Sequence, residues 1–314
     1  MNRNIIYSIF AAAGLLAENT VLSAQTYLHS ENAMSESLIV TDPAVAGMGS
    51  AGLASTSSYA WASFRNPAIL PFGAGQGEAA GSWQNYSPSE SSSNCFTGAF
   101  AIRLGKRGGI SAGIGNRTWD AYEKFSSTGA SKGKFKPNYL QANVGYGHAF
   151  SECFSVGVTA RIMQQSLYAE KSTTAFAGDL FVMLRTGFAD VTAGIANIGP
   201  DVSNESDIKF ALPSSVAVGA SRTFDFGAVV LACNIDANWF FNNGASVRMG
   251  AECGIAGKAF VRAGGNLAVG DSPIPSGFSA GAGYRVFGIT VDAAYVFAPS
   301  SLAGTLCAGL SYSF

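Results

Sequence analysis

The last twelve residues of the chain, 303–314, constrain its fold more than any other stretch. They read A-G-T-L-C-A-G-L-S-Y-S-F, with apolar side chains at every second position from Leu306 to Phe314 and small or polar ones between. Successive side chains of an extended strand point to opposite faces, so this order predicts a strand with one apolar and one polar face. A half-buried strand of a soluble sheet would alternate in the same way, so the soluble alternative stays open at this point.

The same alternation recurs from residue 76 onward. Val247 and Met249 fall on one face of a strand, for example, and Arg248 and Glu252 on the other. Fourteen strands are predicted, at 76–86, 95–104, 108–119, 137–149, 153–168, 173–186, 188–198, 214–224, 226–240, 244–256, 258–269, 277–286, 287–297 and 303–314. An even number of such strands is typical of single-chain bacterial membrane barrels. The predicted fold class is therefore all-β, a transmembrane antiparallel β-barrel of about 14 strands.

Composition favours a membrane barrel and argues against several other classes of protein. Charged residues make up 12% of the chain, about half the usual soluble fraction. After the N-terminus no apolar run reaches the length of a membrane-spanning helix. A formal net charge of −1 argues against a nucleic-acid partner. In a barrel strand apolar residues occupy alternate positions, so a membrane barrel can have few charges and still no long apolar run.

The residue types that usually carry chemistry are sparse. The five cysteines include no C-x-x-C pair, which predicts neither a zinc site nor a disulfide framework. The two histidines, His29 and His148, leave little for a catalytic triad or a metal site. We therefore expect no enzyme activity, no catalytic residues, no metal and no cofactor.

The N-terminal quarter divides into two segments. Residues 1–24 read as a secretory signal peptide, with Arg3 in the basic region, an apolar run over 5–17, and Leu22-Ser23-Ala24 before the cleavage point. Residues 25–75 lack strand alternation and are rich in small residues. The predicted organisation is a signal peptide, a hatch or plug segment at 25–75, and a barrel at 76–314.

Two motifs in the hatch carry a resemblance to a known family. G-M-G-S-A-G-L-A begins at Gly47, and N-P-A-I-L begins at Asn66. Together they resemble the N-terminal hatch of FadL-like outer-membrane barrels, most of all the branch with the PorV and PorQ proteins of the Bacteroidetes. Asn197-Ile198-Gly199, followed by Leu212-Pro213, is similar to that family's mid-barrel pattern. The hatch-motif residues are Gly47, Met48, Gly49, Gly52, Asn66, Pro67 and Ala68. The resemblance implies a 14-stranded barrel whose N-terminal segment folds into the lumen.

The closing strand carries a second resemblance. A chain that stops on an aromatic residue, here Phe314 with Tyr312 two positions before it, resembles the last strand of bacterial outer-membrane barrels. In that class the terminal residues belong to the signal read by the assembly machinery. The resemblance implies that Tyr312 and Phe314 form this assembly signal.

The predicted links between strands alternate in length. Those at 105–107, 257–258 and 287 are tight, whereas 120–136 and 200–213 are long and polar. Outer-membrane barrels have short periplasmic turns and longer external loops. We therefore expect an outer-membrane protein of a Gram-negative bacterium with both termini periplasmic.

Charged residues within the strands alternate with apolar neighbours and are predicted to face the lumen. An Arg or Lys pointing into lipid at the midplane would cost about 2–4 kcal/mol, which favours this register over a slip by one residue. The predicted lumen charges are Arg161, Asp179, Arg185, Asp236, Arg248, Glu252, Arg262 and Asp292. Two interpretations stay open: a network that fills the interior and holds the hatch, or a polar permeation path.

Three classes of function follow. The favoured hypothesis, implied by the PorV and PorQ resemblance, is a non-enzymatic subunit of an outer-membrane secretion or assembly machine of the type IX kind. The alternative is a FadL-like channel for small hydrophobic compounds, and the third is a barrel-embedded enzyme, which the residues disfavour. The expected partners are outer-membrane lipid and a larger protein complex, with a hydrophobic small ligand under the alternative.

Overall fold

A computed structural model describes residues 32–86, 92–126, 129–168, 171–203, 209–241, 244–297 and 304–314. They belong to one compact unit, Glu31–Phe314. The predicted signal peptide at 1–24 lies outside the described residues. No helix in the described ranges is both long and apolar enough to cross a membrane.

Fourteen of the described strands form one closed antiparallel barrel, as the alternation predicts. In chain order they are β1 Gly77–Tyr86, β2 Ser93–Leu104, β3 Gly108–Trp119, β6 Asn138–Ala149, β7 Phe154–Tyr168, β8 Lys171–Arg185, β9 Asp190–Ile198, β12 Ser215–Asp225, β13 Val229–Phe240, β14 Ala245–Ile255, β15 Ala259–Val269, β16 Gly277–Val286, β17 Ile289–Phe297 and β18 Thr305–Ser313. Each strand pairs with its neighbours in this series, and β18 pairs with β1 to close the ring. Closure leaves no unpaired strand edge, which a chain in lipid requires.

Two small hairpins lie outside the ring. The strands β4 Tyr122–Phe125 and β5 Ser131–Phe135 pair between β3 and β6, and β10 Val202–Ser203 pairs with β11 Lys209–Phe210 between β9 and β12. They lie within 120–136 and 200–213, which were predicted as long polar links between wall strands, and the strands inside these links were not among the fourteen predicted. These four strands are only two to five residues long, so they are too short to show the alternation that identified the wall strands.

The two faces of the wall differ as the alternation predicts. On β14, Val247 and Met249 point outward, whereas Ser246, Arg248 and Glu252 point inward. Large apolar side chains are exposed on the outward face all around the ring, among them Phe96, Phe100, Ile114, Val144, Phe176, Ile235, Leu267 and Leu310. Transfer of such a surface from water into lipid is favourable by about 25 cal/mol per Å². The outward face of the barrel is therefore suited to contact with membrane lipid.

The two ends of the barrel also differ. At the end where the chain enters β1 and leaves β18, the connections are two to four residues long, and Phe287 and Gly288 both have positive φ in the shortest of them. Positive φ at both central residues is the geometry of tight hairpin turns. At the opposite end the connections reach the eighteen residues of 120–137. This agrees with the predicted alternation of short and long links.

The segment before β1 contains short helical turns and no barrel strand. They are Ser35–Leu38, Pro43–Ala46, Tyr59–Trp61, Ala62–Arg65 and Pro67–Phe72. Asp42 caps the second turn by accepting a hydrogen bond from Ala44 N–H at 3.0 Å, and Asn66 caps the last one in the same way. Both caps precede a proline, which suits the first position of a helical turn.

Candidate functional site

Residues 32–76, called the hatch segment below, lie against the inward face of the barrel. Ile69 and Leu70 are fully buried and form an apolar cluster with Phe181 and Met183 of β8. The turns of the segment contact a continuous arc of nine strands, from β16 through β18 and β1 to β8. Hydrogen bonds to Asp236 of β13 and backbone contacts with Gly250 and Gly264 of β14 and β15 extend to the remaining part of the ring. The hatch segment therefore fills the lumen that the ring encloses.

The G-M-G run packs backbone against backbone. Gly49 has φ +66°, and a Cβ on it would lie 2.2 Å from a backbone nitrogen of β15. Across from Met48, an added Cβ on Gly250 or on Gly264 would lie 2.2 Å from Met48 backbone atoms. The Gly49 N–H also donates to Ser279 Oγ at 2.8 Å. Glycine is required on both sides of this contact because any side chain would separate the two backbones.

Asp236 of β13 holds the next part of the motif. One of its carboxylate oxygens accepts hydrogen bonds from Gly52 N–H at 2.7 Å and from Leu53 N–H at 2.9 Å, and the side chain is buried. Arg248 donates to the Ser50 carbonyl at 3.5 Å, the long limit of a hydrogen bond. A buried carboxylate on two buried N–H groups forms charge-assisted bonds, so this is a strong attachment.

The N-P-A motif makes a second attachment. Asn66 is fully buried, and its Oδ1 accepts from Ala68 N–H at 2.9 Å. Its Nδ2 donates to the Leu53 carbonyl at 2.9 Å and to Thr192 Oγ1 of β9 at 3.0 Å. Ser155 of β7 donates to the Ala68 carbonyl at 2.6 Å. One asparagine thus joins two parts of the hatch segment to the wall.

Glycines of β6 and β7 receive the rest of this motif. A Cβ on Gly147 would lie 2.2 Å from the Pro67 carbonyl oxygen, and one on Gly157 would lie 2.2 Å from Ala68 N. Both glycines face inward, like the glycines around Met48. Both motifs therefore pack directly against the backbone of wall glycines, and these glycines, Gly147, Gly157, Gly250 and Gly264, are called the glycine socket below.

Two attachments between the hatch segment and the wall were not predicted from the sequence. Glu78 of β1 accepts from Ala60 N–H at 2.9 Å, and Ser111 Oγ of β3 accepts from Ser63 N–H at 3.1 Å while donating to the Ala60 carbonyl at 3.0 Å. Burial raises the pKa of the Tyr59 hydroxyl in the hatch segment to about 12, and the nearby Glu78 carboxylate adds to that shift. Glu78 could have been noticed as a carboxylate at an inward position, whereas Ser111 resembles any small strand residue.

The predicted lumen charges on β7 and β8 form a buried pair. Arg161 Nη2 lies 2.8 Å from Asp179 Oδ2, and both side chains are buried. The other Asp179 oxygen accepts from Asn197 N–H at 2.7 Å, and Arg161 also hydrogen-bonds the Asn197 side chain. Asn197 has φ +56° where the register between β8 and β9 shifts, and its contacts with Asp179 and Arg161 support this irregular position.

A second group of predicted charges lies on β14, β15 and β17. Arg262 donates from Nε to Glu252 and from Nη1 to Asp292, each at 2.6 Å. Arg185 pairs with Asp190 at 3.3 Å, but its side chain is 43% exposed at the rim with short turns. Five of the eight predicted charges are thus paired with one another inside the lumen, and Asp236 is bound to the hatch segment.

A small cavity remains between the hatch segment and the wall. Its volume is about 100 Å³. The charged side chains that line it are Asp42, Arg65, Arg161, Asp179, Asp236 and Arg248. Pockets for drug-sized ligands measure roughly 300–1,000 Å³ and are mostly apolar. The cavity is too small to hold a ligand of that size as it stands, and its lining mixes these charges with apolar side chains such as Trp61, Phe64 and Phe181.

The predicted assembly-signal residues, Tyr312 and Phe314, lie at the seam where β18 pairs with β1. Phe314 accepts hydrogen bonds on its carbonyl oxygen from Gln76 and Gly77 N–H, and Tyr312 stacks on its ring at 5.9 Å. The five cysteines are free. Within the described ranges no group of three or more His, Cys, Asp or Glu side chains is placed to hold a metal ion.

Comparisons with known proteins give matches in structure alone. No protein-family model matches the chain, and no curated protein sequence matches it significantly. Among solved structures, the CymD monoaromatic hydrocarbon channel has a TM-score of 0.63 at 14% identity, covering 88% of this chain and 98% of CymD. The Pseudomonas aeruginosa FadL homologue has 0.59 at 11%, covering 87% and 98%. The Pseudomonas putida toluene transporter TodX has 0.58 at 13%, covering 86% and 96%.

These likenesses span nearly the whole of each solved chain. They establish the FadL-like fold, a closed 14-stranded barrel with a helical N-terminal segment in the lumen. At 11–14% identity they establish no more than the fold. The finer resemblance to PorV and PorQ stays a prediction.

Proposed function

We propose that this protein is an outer-membrane channel of a Gram-negative bacterium for small hydrophobic molecules, with both chain termini on the periplasmic side. The observation that carries the proposal is the ring of fourteen strands around an N-terminal hatch segment, an arrangement shared along almost the full length of hydrocarbon channels. The apolar outward face supports membrane insertion, and the short turns beside the termini support the orientation.

Uptake requires the hatch segment to move. The cavity beside it measures about 100 Å³, well below the roughly 300–1,000 Å³ of pockets for drug-sized ligands. Displacement of the hatch segment from the glycines of the wall would open the lumen that it now fills. The proposal therefore makes the hatch segment a gate.

A disulfide across the gate tests the proposal. A Cβ on Gly145 of β6 would lie 3.4 Å from the Cβ of Ser63 in the hatch segment, close to the Cβ separation in disulfides. In a background without the five native cysteines, Ser63→Cys with Gly145→Cys would join the gate to the wall. We expect uptake of labelled toluene by cells to be lost on oxidation and recovered on reduction.

The single variants Ser63→Cys and Gly145→Cys serve as controls, since neither can form the bond. Uptake that is equal in the oxidised and reduced double variant would refute a moving gate. Uptake that equals that of cells without the protein would refute the channel itself.

The second candidate is a structural subunit of an outer-membrane secretion or assembly machine. The observation that favours it is the number of separate attachments between the hatch segment and the wall, from Glu78, Ser111, Ser155, Asp236 and Ser279. A hatch fixed in this way is a permanent plug. For such a subunit we expect a partner protein to co-purify in mild detergent, and to do so equally well with the disulfide closed.

A further inference from the structure

A groove runs along the outward face of the wall across β18, β1, β2 and β3. Gly81 lies directly opposite Gly98, with Leu310 and Ile114 as their neighbours in the same row. A Cβ on Gly98 would meet nothing within 4 Å, and one on Gly81 only a carbonyl oxygen at 3.8 Å. The groove has a volume of about 890 Å³, and its rim is formed by Trp83, Phe96, Ile114, Leu140, Val291 and Leu310. The wall thus lacks side chains at one place in its apolar band.

The groove changes from apolar to polar toward the end of the barrel with long connections. Asn116 lines it. The next outward row in that direction consists of Asn85, Asn94, Thr118 and Asn138, each directly opposite the next. Trp83 Nε1 and Asn85 Nδ2 both donate to Asn94 Oδ1, at 3.1 and 3.2 Å. Three neutral amides and one hydroxyl, called the amide row below, therefore lie above the apolar groove on four adjacent strands.

Beyond the amide row the chain becomes basic. The hairpin of β4 and β5 joins two of the same strands, β3 and β6. Its base is tied to the start of β2 because Ser92 N–H donates to Asp120 at 3.0 Å. Residues 120–136 carry the lysines Lys124, Lys132, Lys134 and Lys136 against Asp120 and Glu123, a net charge of 4 − 2 = +2. Three of the four lysines are exposed.

We propose that this surface binds one molecule of a phosphorylated, multiply acylated glycolipid of the outer leaflet. An acyl chain fills the groove at Gly81 and Gly98, the amide row hydrogen-bonds the sugar and its acyl linkages, and the lysines of the hairpin attract the phosphates. The order apolar, amide and cationic matches the order of groups along such a lipid. The inference rests on the proposed outer-membrane placement and orientation, and not on transport.

The charges favour this occupant over a second copy of the chain. Two copies joined at the groove would bring two basic hairpins close together, and like charges repel. A zwitterionic phospholipid would fill the groove but would offer no net negative charge to the lysines. The lysines therefore distinguish the glycolipid from zwitterionic phospholipids.

Native mass spectrometry of the purified protein, with lipid A as the probe, tests the proposal without any transport ligand. Gly98→Leu fills the groove, and we expect about tenfold weaker retention of lipid A. The double variant Lys132→Ser with Lys134→Ser should weaken it about fivefold for each lysine removed. Ala160→Leu on β7 also faces lipid, and Lys258→Ser lies at a periplasmic turn, so both should retain lipid A as the unchanged protein does.

Three outcomes would overturn the proposal. Equal retention of lipid A by all variants would mean that the groove is not the site. Equal retention of phosphatidylethanolamine or of dephosphorylated lipid A would mean that phosphate is not recognised. A dimer that dissociates in Gly98→Leu would make the occupant a second copy. Because no uptake is measured, none of these outcomes depends on the channel.

Discussion

The inward-facing glycines Gly157 and Gly264 and the outward-facing glycine Gly98 differ in the space around them. A Cβ on the inward Gly157 would lie 2.2 Å from Ala68 N, and one on the inward Gly264 would lie 2.2 Å from the Met48 carbonyl carbon. A Cβ on the outward Gly98 would meet nothing within 4 Å. Inside, glycine lets two parts of the chain touch through their backbones. Outside, it leaves a gap that only another molecule can fill.

The comparison extends to the polar residues of the two faces. Inward charges such as Arg262 and Asp236 have defined partners within the chain, because a buried charge without one is costly. The outward amides of Asn85, Asn94 and Asn138 lie near the end of the barrel, where headgroups and water are within reach. Substitutions should therefore destabilise the protein when made inside and have little effect outside.

The largest effect is expected for Arg262→Met. This change leaves Glu252 and Asp292 buried together without a cation, and we expect a loss of about 3–5 kcal/mol in the free energy of unfolding, measured in urea and detergent. Arg285→Met is the matched control, because Arg285 is exposed at the end of the barrel with short turns. Addition of Glu252→Gln and Asp292→Asn should restore most of the loss. A loss in Arg262→Met no larger than in the control would contradict the pairing.

The next effect is expected for Gly157→Val. The new side chain would overlap Ala68 of the hatch segment, and overpacking of this kind costs about 1–3 kcal/mol. Gly98→Val makes the same chemical change on the outward face, where space is free. The comparison is between their urea midpoints in detergent. Equal midpoints for the two variants would mean that the hatch segment does not pack against Gly157 in the glycine socket.

A similar or smaller effect is expected for Asp236→Ala. It leaves the N–H groups of Gly52 and Leu53 without their acceptor, at a cost of about 1–3 kcal/mol. The local measurement is amide hydrogen exchange, which should become faster at these two residues and remain unchanged along β6. Unchanged protection at Gly52 and Leu53 would show that Asp236 is not what holds this turn.

The smallest effect is expected for cysteine substitutions that report on the two faces. In a background without the native cysteines, Met249→Cys should react with membrane-soluble reagents and change stability by no more than about 0.5 kcal/mol. Ser246→Cys on the same strand is buried inside and should resist them. The reverse pattern would place the strand one residue out of register.

The wall strands could be predicted because their signal is local. The strand at 277–286 was placed to the residue, since alternation of apolar and small side chains shows directly in the sequence. The attachments of the hatch segment could not be predicted, because Gly52 and Asp236 are 184 residues apart. The hairpin at Tyr122–Phe135 was missed for a different reason: most of its residues are exposed on both faces, so it has no periodic pattern.

The division between the two kinds of glycine lay equally beyond the sequence. Inward and outward positions alternate along a strand. The amino-acid sequence alone does not distinguish a glycine that packs on another backbone from one that faces open space. The resemblance carried by the G-M-G and N-P-A motifs implied only that the hatch segment folds into the lumen. Their partners, Gly250, Gly264, Gly147 and Gly157, became apparent only when the ring was closed around them.

The seam between β1 and β18 has a consequence for the order in which the molecule forms. Gly77 N–H donates to the carbonyl oxygen of Phe314, the last residue, which in turn donates from its own N–H to the Gly77 carbonyl. The ring can therefore close only after β18 and Phe314 have been synthesised. Until then the first and last strands are two open edges, which invite pairing with other chains. Closure is also the step that encloses the hatch segment, so a chain shortened by a single strand would have neither a sealed wall nor an interior.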